Sequence, residues 1–373
     1  MRILVNGLSI GSLSGQHVVF GFLSKLAEWK QGEHEFIVLH DEATPLPDHV
    51  NFPNVTSVAL PHRLRNWAVR LGWELTGLPK LIEQHRVDVL LNPSGAKVPR
   101  IKCRQVVLAQ NPWCFVRQAH QGWRDTLKAS LQRQGYRSAF QSADLMFYIS
   151  DHLRTLYRDA AGRGPEAESD ITYVGIDDET FRAASKYQET VERDPNLILS
   201  VSAMAPWKGT ETLISSLHLL RKSGLPSKLK LIGPWPDETY RHRIHQQITA
   251  LELWPHVEIS GKVSKEELHR SYASATAFCL MSHCESFGIP AAEAQAFGTP
   301  TVVSTGCAMP EVCGKGAMSG TPGDPEWTAQ ALAQLMTSPT RWHEYSSAAK
   351  ENVEKLRWEK TARPFQKIFL LLG

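Results

Sequence analysis

Two glutamates in the second half of the chain, Glu285 and Glu293, flank a short apolar segment. Between them lie Phe287, Gly288 and Ile289, whose backbone N–H groups would be unpaired at the start of a helix. Such N–H groups and the helix dipole form an anion site suited to a diphosphate, and a glycine lets the ligand approach the backbone closely. Carboxylates accept hydrogen bonds from sugar hydroxyl groups. The segment therefore indicates a site for a ligand that carries a diphosphate and a sugar.

The helix that would carry this site is predicted from its boundary residues. Pro290 suits the first helical turn, where its missing N–H costs nothing, and Gly298 suits the residue just past the end. We therefore expect a helix from about Ile289 to Phe297. A simpler interpretation stays open, in which Glu293 only favours an early helical turn and Glu285 is solvated.

Length and composition limit the classes of protein that could hold such a site. The chain has 373 residues, which is about two domains at roughly 150 residues each. Hydrophobic residues make up 42% and charged residues 21%, which excludes a mainly disordered chain. The formal net charge is only +3, so the molecule as a whole is not a nucleic-acid-binding surface.

Short β-rich runs alternate with longer helical patterns, which is typical of βαβ units around parallel sheets. The first helix is expected from about His17, and a polar stretch from about Asp177 to Asn196 separates two series of strands. The expected strands are Ile3 to Val5, Glu35 to Leu39, Asp88 to Leu91, Gln105 to Ala109, Leu145 to Ile149, Leu197 to Val201, Leu229 to Ile232, His256 to Ile259, Ala277 to Leu280 and Pro300 to Val303. The sequence predicts an α/β fold with two Rossmann-like parallel-sheet domains and, from a hinge in the polar stretch, a cleft between them.

Neither the cysteines nor the N-terminus indicates export. The six cysteines show no CxxC pair and no zinc-like spacing, so we expect reduced thiols of a cytoplasmic protein. The apolar run Ile3 to Val5 breaks at Asn6 without a small-residue cleavage site, which favours a first strand over a signal peptide. Nothing approaches 18 uninterrupted apolar residues, so any membrane contact is expected to be peripheral.

The stretch from Cys284 to Val303, with seven residues between Glu285 and Glu293 and Gly298-Thr299-Pro300 after them, resembles the signature of retaining glycosyltransferases of family 4, which have the GT-B fold. Further segments fit that family in the same order along nearly the whole chain. They are Ala143-Asp144 through Ser150, Tyr173 through Phe181, Val201 through Gly209, Leu231-Ile232-Gly233, Gly261 through Ser264 with Glu266-Glu267-Leu268, and Pro310-Glu311-Val312.

The resemblance also implies how the domains are bounded and what they bind. Trp358 to Thr361 looks like the family's closing helix, which crosses back to the first domain. An acceptor-binding domain is then expected at residues 1–177 together with 358–373, and a domain that binds the nucleotide sugar at residues 178–357.

By analogy with the family, Lys208 would neutralise the donor's diphosphate and stabilise the departing nucleoside diphosphate. Glu293 would hold the ribose hydroxyl groups, and Glu285 would contact the donor sugar, helped by the amides of residues 287 to 289. The alternative for Lys208 is a solvated lysine at a helix start.

The family further implies that the turn Gly261-Lys262-Val263 touches the base through backbone atoms. Gly15, placed in the loop after the first strand, would let the backbone reach the phosphates and the acceptor.

The sequence departs from the family at two places. Many members have an arginine five residues before the lysine, where this chain has Ala203, so Lys208 would carry more of the phosphate charge. Many also have a His-Asp or His-Asn pair after the fifth strand, where this chain has Gln110-Asn111. Gln and Asn hydrogen-bond a sugar but do not titrate near neutral pH, which suits a retaining mechanism in which the leaving phosphate accepts the acceptor's proton.

No Asp-x-Asp motif is present, so we expect no metal and no cofactor, with Lys208 and helix-start amides in place of a metal ion.

Basic and aromatic residues are interleaved in two segments of the first half, where the alternative is a solvated helix face with some tryptophans in the core. Such patches attract anionic lipid headgroups, while nucleic-acid binding is disfavoured because no recognised motif accompanies them. The segments contain Arg63, Arg65, Trp67, Arg70 and Trp73, and then Arg100, Lys102, Arg104, Trp113, Phe115, Arg117, Trp123, Arg124, Lys128, Arg133 and Arg137 with the single acid Asp125.

Taken together, the residues and the resemblance predict a retaining, metal-independent glycosyltransferase that uses a UDP- or GDP-type donor and a saccharide or lipid-linked acceptor in cell-surface polysaccharide or lipopolysaccharide synthesis. Three alternatives stay open. They are a catalytically silent nucleotide-sugar-binding subunit, for which Ala203 and Gln110 argue, a phosphorylase or epimerase with the same fold, and a Rossmann dehydrogenase, which lacks its three-glycine fingerprint.

Overall fold

The two halves of the chain each form one parallel β-sheet covered by helices. The computed structural model describes residues 1–11, 13–117, 120 and 122–371. The chain divides into two compact units. The first comprises Met1–Phe115, Gln121–Gly175 and Trp358–Gly373, and the second Val116–His120 and Ile176–Arg357.

The first unit is built on seven parallel strands. These are β1 Arg2–Asn6, β2 Glu35–Asp41, β3 Val55–Leu60, β4 Val89–Asn92, β5 Arg104–Ala109, β6 Leu145–Tyr148 and β7 Ser169–Ile171. Their order in the sheet is β3-β2-β1-β4-β5-β6-β7. The inner strands are buried on both faces by helices, which explains their almost continuous apolar runs.

The second unit has six parallel strands. These are β8 Asp194–Val201, β9 Lys228–Ile232, β10 Val257–Gly261, β11 Ala275–Leu280, β12 Thr301–Ser304 and β13 Ala317–Gly320. The order β10-β9-β8-β11-β12-β13 reverses direction between β8 and β11. In open parallel sheets, ligands bind outside the carboxyl ends of the strands at such a switch point.

Thirteen α-helices are found among the described residues. They are α1 Leu13–Trp29, α2 Trp67–Gln84, α3 Trp123–Ser142, α4 Asp151–Ala161, α5 Asp178–Thr190, α6 Thr210–Lys222, α7 Glu238–Ala250, α8 Lys265–Ser274, α9 Ile289–Ala296, α10 Met309–Cys313, α11 Pro325–Thr337, α12 Pro339–Val353 and α13 Trp358–Thr361.

The predicted parallel-sheet architecture is confirmed, and each of the ten expected strands is present within a few residues. The sequence did not reveal β3, β7 and β13, which lie at sheet edges. Edge strands are short or half-exposed, so their apolar pattern is weaker than that of a central strand.

The start of the first helix and the place of Gly15 were predicted wrongly. Helix α1 begins at Leu13, not near His17, so Gly15 lies in the first helical turn and not in a loop. Gly15 was expected in a loop, but the burial of Val18 and Phe22 on α1 favours the helical conformation of this segment.

The polar stretch between the two series of strands contains helix α5. Its charged face is exposed, while Phe181, Ala184 and Tyr187 are buried. An amphipathic helix of this kind gains its stability from the packing of one face.

The C-terminal segment packs into the first unit. The Trp358 ring lies against Phe22, with ring centroids 5.1 Å apart, and leaves no room for a side chain at Gly21 or Gly175. Phe365 stacks on Phe22 and Phe147, and the Thr172 hydroxyl donates to the Thr361 carbonyl at 2.8 Å.

Among the described residues, no helix is both long and apolar enough to cross a bilayer. All six cysteines are free thiols.

Candidate active site

The loops after β8 and β11 lie side by side at the carboxyl edge of the second sheet, because these two strands are neighbours at the switch point. The first loop carries Lys208 and the second carries Glu285. The sequence analysis assigned both residues to one donor site. The order of the strands in the sheet explains why Lys208 and Glu285 are close to each other.

A glycine locks the Lys208 loop against its neighbour. Residues Pro206–Lys208 form a 3₁₀ turn, and Gly209 follows with φ of +73°. A Cβ atom at Gly209 would lie 2.3 Å from the carbonyl oxygen of Met281, which is backbone and cannot yield easily. The Ser282 hydroxyl donates to the Trp207 carbonyl at 2.9 Å, so the two loops are also joined by a hydrogen bond.

Lys208 and Glu285 form an ion pair at the switch point. The Nζ atom of Lys208 donates a hydrogen bond to Oε1 of Glu285, and the two side chains are only 16% and 14% exposed. Neither residue is therefore the solvated side chain of the simpler interpretation. Because a charge-assisted bond with little water around it resists exchange, the pair holds both groups at one place.

Helix α9 begins directly after the Glu285 loop, as its boundary residues predict. Gly288 adopts a φ of +88°, and a Cβ atom there would lie 2.6 Å from Cγ of Met309. The N-cap residue of the helix is Gly288 itself, which has no side chain that could bond the first turn. At the other end, the Gly298 N–H donates to the Gln295 carbonyl at 2.9 Å, in the pattern of a left-handed glycine stop.

Glu293 lies in the second turn of α9 and accepts a hydrogen bond from a buried tyrosine. The Tyr272 hydroxyl donates to Oε2 of Glu293 at 2.8 Å. Burial raises the pKa of Tyr272 well above its usual range, so the hydroxyl stays a donor at every physiological pH. The sequence did not reveal Tyr272, because it lies 21 residues away on α8 and only the fold brings it to Glu293.

A half-buried arginine holds the far end of α9. Arg193 donates through Nη2 to the Phe297 carbonyl at 3.2 Å and through Nη1 to the Thr299 hydroxyl at 2.9 Å. Its guanidinium lies 4.8 Å from the ring centroid of Trp342, and burial lowers the pKa of Arg193 to about 10. A cation at the C-terminal end complements the helix dipole. The sequence offered no local signal for this role.

The predicted base-contacting turn lies at the same edge of the sheet, after β10. Gly261 has a φ of +65° and open space around its Cα, and Lys262 is exposed. The Gly233 N–H donates to the Gly261 carbonyl at 2.7 Å, which ties this turn to the loop after β9. Val263 is half-buried.

Gln110 and Asn111 lie in the first unit, directly after β5, where the sequence placed them. The Gln110 side-chain amide donates to the Pro93 carbonyl at 3.0 Å, and the Asn111 side-chain oxygen accepts from the Trp113 N–H at 2.9 Å. In the second unit, Ala203 is exposed in the loop that follows β8, so no side chain there supplements the charge of Lys208.

The chain is similar in sequence to proteins named glycosyltransferases. Residues 181–355 match the family model described as glycosyl transferases group 1. A D-inositol 3-phosphate glycosyltransferase of Kineococcus radiotolerans is 28% identical over 257 residues, which cover 63% of this chain and 59% of the relative. An MMP alpha-(1->4)-mannosyltransferase of Mycolicibacterium hassiacum is 31% identical over 202 residues, which cover 52% of this chain and 46% of the relative. The chain thus spans about half the length of these curated relatives.

Solved structures decide the fold. The Anabaena protein Alr3699/HepE, determined in complex with UDP and glucose, superposes with a TM-score of 0.73 at 18% identity over 99% of both chains. WaaG, a glycosyltransferase involved in lipopolysaccharide biosynthesis, superposes with a TM-score of 0.72 at 14% identity over 99% of both chains. The fold is GT-B. The GT-B fold confirms the expected pair of Rossmann-like domains and the return of the C-terminal helix to the first of them.

Proposed function

We propose that this chain is a retaining glycosyltransferase that moves a sugar from a UDP- or GDP-type donor to a saccharide or lipid-linked saccharide acceptor in cell-surface polysaccharide synthesis. The observation that carries the proposal is the Lys208–Glu285 ion pair, whose glutamate lies in the loop that leads into the start of α9. The family match supports the donor side, because residues 181–355 include Lys208, Glu285 and Glu293.

In this proposal the donor's diphosphate binds at the first turn of α9. The positive end of the helix dipole favours an anion there, and Lys208 supplies the full positive charge. Glu293, held by the Tyr272 hydroxyl, accepts hydrogen bonds from the ribose hydroxyl groups. The diphosphate competes with Glu285 for Lys208, so donor binding frees the Glu285 carboxylate for the sugar.

The chemical step needs a cation where the leaving group forms. As the bond between the anomeric carbon and the phosphate oxygen breaks, Lys208 stabilises the charge that develops on the nucleoside diphosphate. The acceptor hydroxyl forms its bond to the anomeric carbon on the face that the phosphate leaves, and its proton passes to that phosphate oxygen. No side-chain base is required, and configuration is retained.

We further propose that no metal ion takes part, since Lys208 and the helix-start amides supply the positive charge. The first unit would hold the acceptor, and a contact of Gly15, Gln110 and Asn111 with acceptor or donor stays a prediction.

The first experiment measures the melting temperature of the purified chain with UDP, GDP, ADP, CMP and dTDP in turn. A ligand at about 100 times its Kd stabilises the folded state by roughly 2.7 kcal/mol, so one nucleotide should raise the melting temperature visibly. Sugars of that nucleotide are then assayed for turnover, and NMR of the product reports the anomeric configuration. A shift without turnover by the chain alone would support the silent-subunit alternative, for which the exposed Ala203 argues.

A further inference from the structure

Large apolar side chains are exposed at one end of the first unit. Seven of the nine large hydrophobic side chains that are exposed among the described residues belong to α2 or α3. On α3, Trp123, Leu127 and Leu131 are 72%, 55% and 51% exposed. Their spacing of four residues puts them on one face of the helix, and the buried Ala129 and Tyr136 lie on the opposite face.

Helix α2 shows the same feature. Trp67, Leu71 and Leu75 are 52%, 46% and 39% exposed, while Leu78 and Ile82 are buried further along the same apolar face. The second half of this face therefore packs in the core and the first half does not. A globular surface rarely leaves such a stripe open unless it binds something.

The topology places the two stripes on the same face of the first sheet. The crossovers from β3 to β4 and from β5 to β6 run in the same direction across the sheet, so right-handed connections put α2 and α3 on the same face. Both stripes occupy the N-terminal halves of their helices, which lie at the carboxyl edge of the parallel strands. We call these six residues (Trp67, Leu71, Leu75, Trp123, Leu127 and Leu131) the α2–α3 apolar surface.

The charges beside this surface are mainly positive. On α3, Arg124 and Lys128 are exposed along one flank of the stripe and Arg137 along the other. Beside α2, Arg63 and Arg65 are exposed just before the helix begins. A tryptophan and leucine stripe bordered by arginine and lysine fits the interface of an anionic bilayer, where the apolar side chains enter the acyl region and the cations meet phosphate groups.

We propose that the α2–α3 apolar surface docks on the anionic lipid headgroups of a membrane. Leucine side chains have no flat face on which a base stacks, so the surface suits a bilayer better than RNA. Docking would bring the carboxyl edge of the first sheet toward a lipid-borne acceptor, a consequence that rests on the proposed function, whereas lipid binding itself does not.

The test is co-sedimentation of the full chain with vesicles of phosphatidylcholine, with and without one third phosphatidylglycerol, at low and high salt. The wild-type chain should bind the anionic vesicles at low salt and lose binding as salt screens the charges. The triple variant Trp123→Ser, Leu127→Ser, Leu131→Ser should bind at least about tenfold more weakly, because the apolar insertion is lost. The matched control is Trp254→Ser, which removes an exposed tryptophan from the second unit and should bind as wild type.

A charge variant separates the two parts of the interaction. Arg124→Glu with Lys128→Glu should abolish the preference for anionic over neutral vesicles, with an unchanged melting temperature because both side chains are exposed. The proposal would be overturned if the wild-type chain did not bind anionic vesicles or if the triple variant bound them as wild type. Displacement of the vesicles by a short single-stranded RNA would also overturn it. The nucleotide-induced melting shift should persist in the triple variant, so failure of lipid binding and failure of the proposed function are distinguishable.

Discussion

The Nζ atom of Lys208 is bonded to Oε1 of Glu285 across the point where the second sheet reverses its strand order. The two residues are 77 positions apart in the sequence, and each follows one of the two central strands of the sheet. Each half-buried charge compensates the other before a ligand arrives, so neither is left unpaired in a poorly solvated place.

Replacing the lysine should remove donor binding without unfolding the chain. In Lys208→Ala, we expect the melting shift with the preferred nucleoside diphosphate to disappear and kcat/KM to fall by about 10²- to 10³-fold, since a charge at the leaving group is lost. Titration by differential scanning fluorimetry and donor turnover measure the two effects.

Lys230→Ala is the matched control for this change. Lys230 forms ion pairs with Glu258 and Glu267, and its side chain is 14% exposed, similar to Lys208, but it lies on β9 outside the proposed site. The control should keep the melting shift. If both alanine variants lose the melting shift equally, Lys208 supports the folded structure of the site and does not contact the nucleotide.

Removing the Tyr272 hydroxyl should weaken the donor site through Glu293. We expect Tyr272→Phe to raise the donor KM about 5- to 10-fold, because a hydrogen bond to a charged group contributes roughly 1.5 kcal/mol and its loss removes one restraint on the carboxylate. Tyr240→Phe removes another buried hydroxyl that is bonded to a carboxylate, that of Glu211, and should leave KM unchanged. Equal changes in KM for both variants would contradict a positioning role for Tyr272.

These pairs show what the sequence could and could not predict. Local signals sufficed for α9, because Pro290 and Gly298 mark its ends within a few residues of the chain. The partners of Glu285 and Glu293 are set by neighbouring strands and helices, and no pattern around Tyr272 points to Glu293. The same limit applies to Gly15, where helix packing outweighed the loop propensity of the residues around it.

The glycines of the donor loops should differ in their tolerance of a methyl group. Gly261→Ala should lower the free energy of unfolding by about 1 kcal/mol, because only its positive φ is unfavourable and no atom of the described residues lies within 4 Å of the added Cβ. Gly209→Ala should cost more, since the Met281 carbonyl oxygen blocks the added atom. Gly288→Ala meets the flexible Met309 side chain, so Met309→Ala should rescue part of its loss. Urea unfolding measures the three changes, and equal losses would contradict the steric argument.

Chelation should leave activity intact. If Lys208 and the start of α9 neutralise the diphosphate, EDTA has no metal ion to remove from the reaction. Donor turnover is measured before and after treatment with EDTA and gel filtration. A loss of turnover that Mn²⁺ or Mg²⁺ restores would show that these groups do not carry the charge alone.

The free energy of unfolding should decrease above pH 9, because buried thiols resist ionisation in the folded chain. Burial raises the pKa of Cys284 and Cys313 to about 12, and that of Cys307 to about 11, from 9.0 in an exposed thiol. The folded chain therefore keeps these protons between pH 9 and 11 while the unfolded chain releases them, so stability is fully present below pH 9 and decreases above it. At pH 10 each of these thiols should lower the free energy of unfolding by about 1 kcal/mol relative to its value below pH 9.

The variant Cys313→Ala isolates one of these thiols. Its free energy of unfolding, measured by urea titration in a phosphine reductant between pH 8 and 11, should decrease less steeply with pH than that of the wild type. The slope should differ by close to one proton, because the unfolded state then releases one proton fewer relative to the folded state. The absolute stability of the variant does not enter this comparison, which uses only the slopes. Parallel slopes would mean that the Cys313 thiol ionises alike in the folded and unfolded chains, and its burial in α10 would then have no effect on its proton.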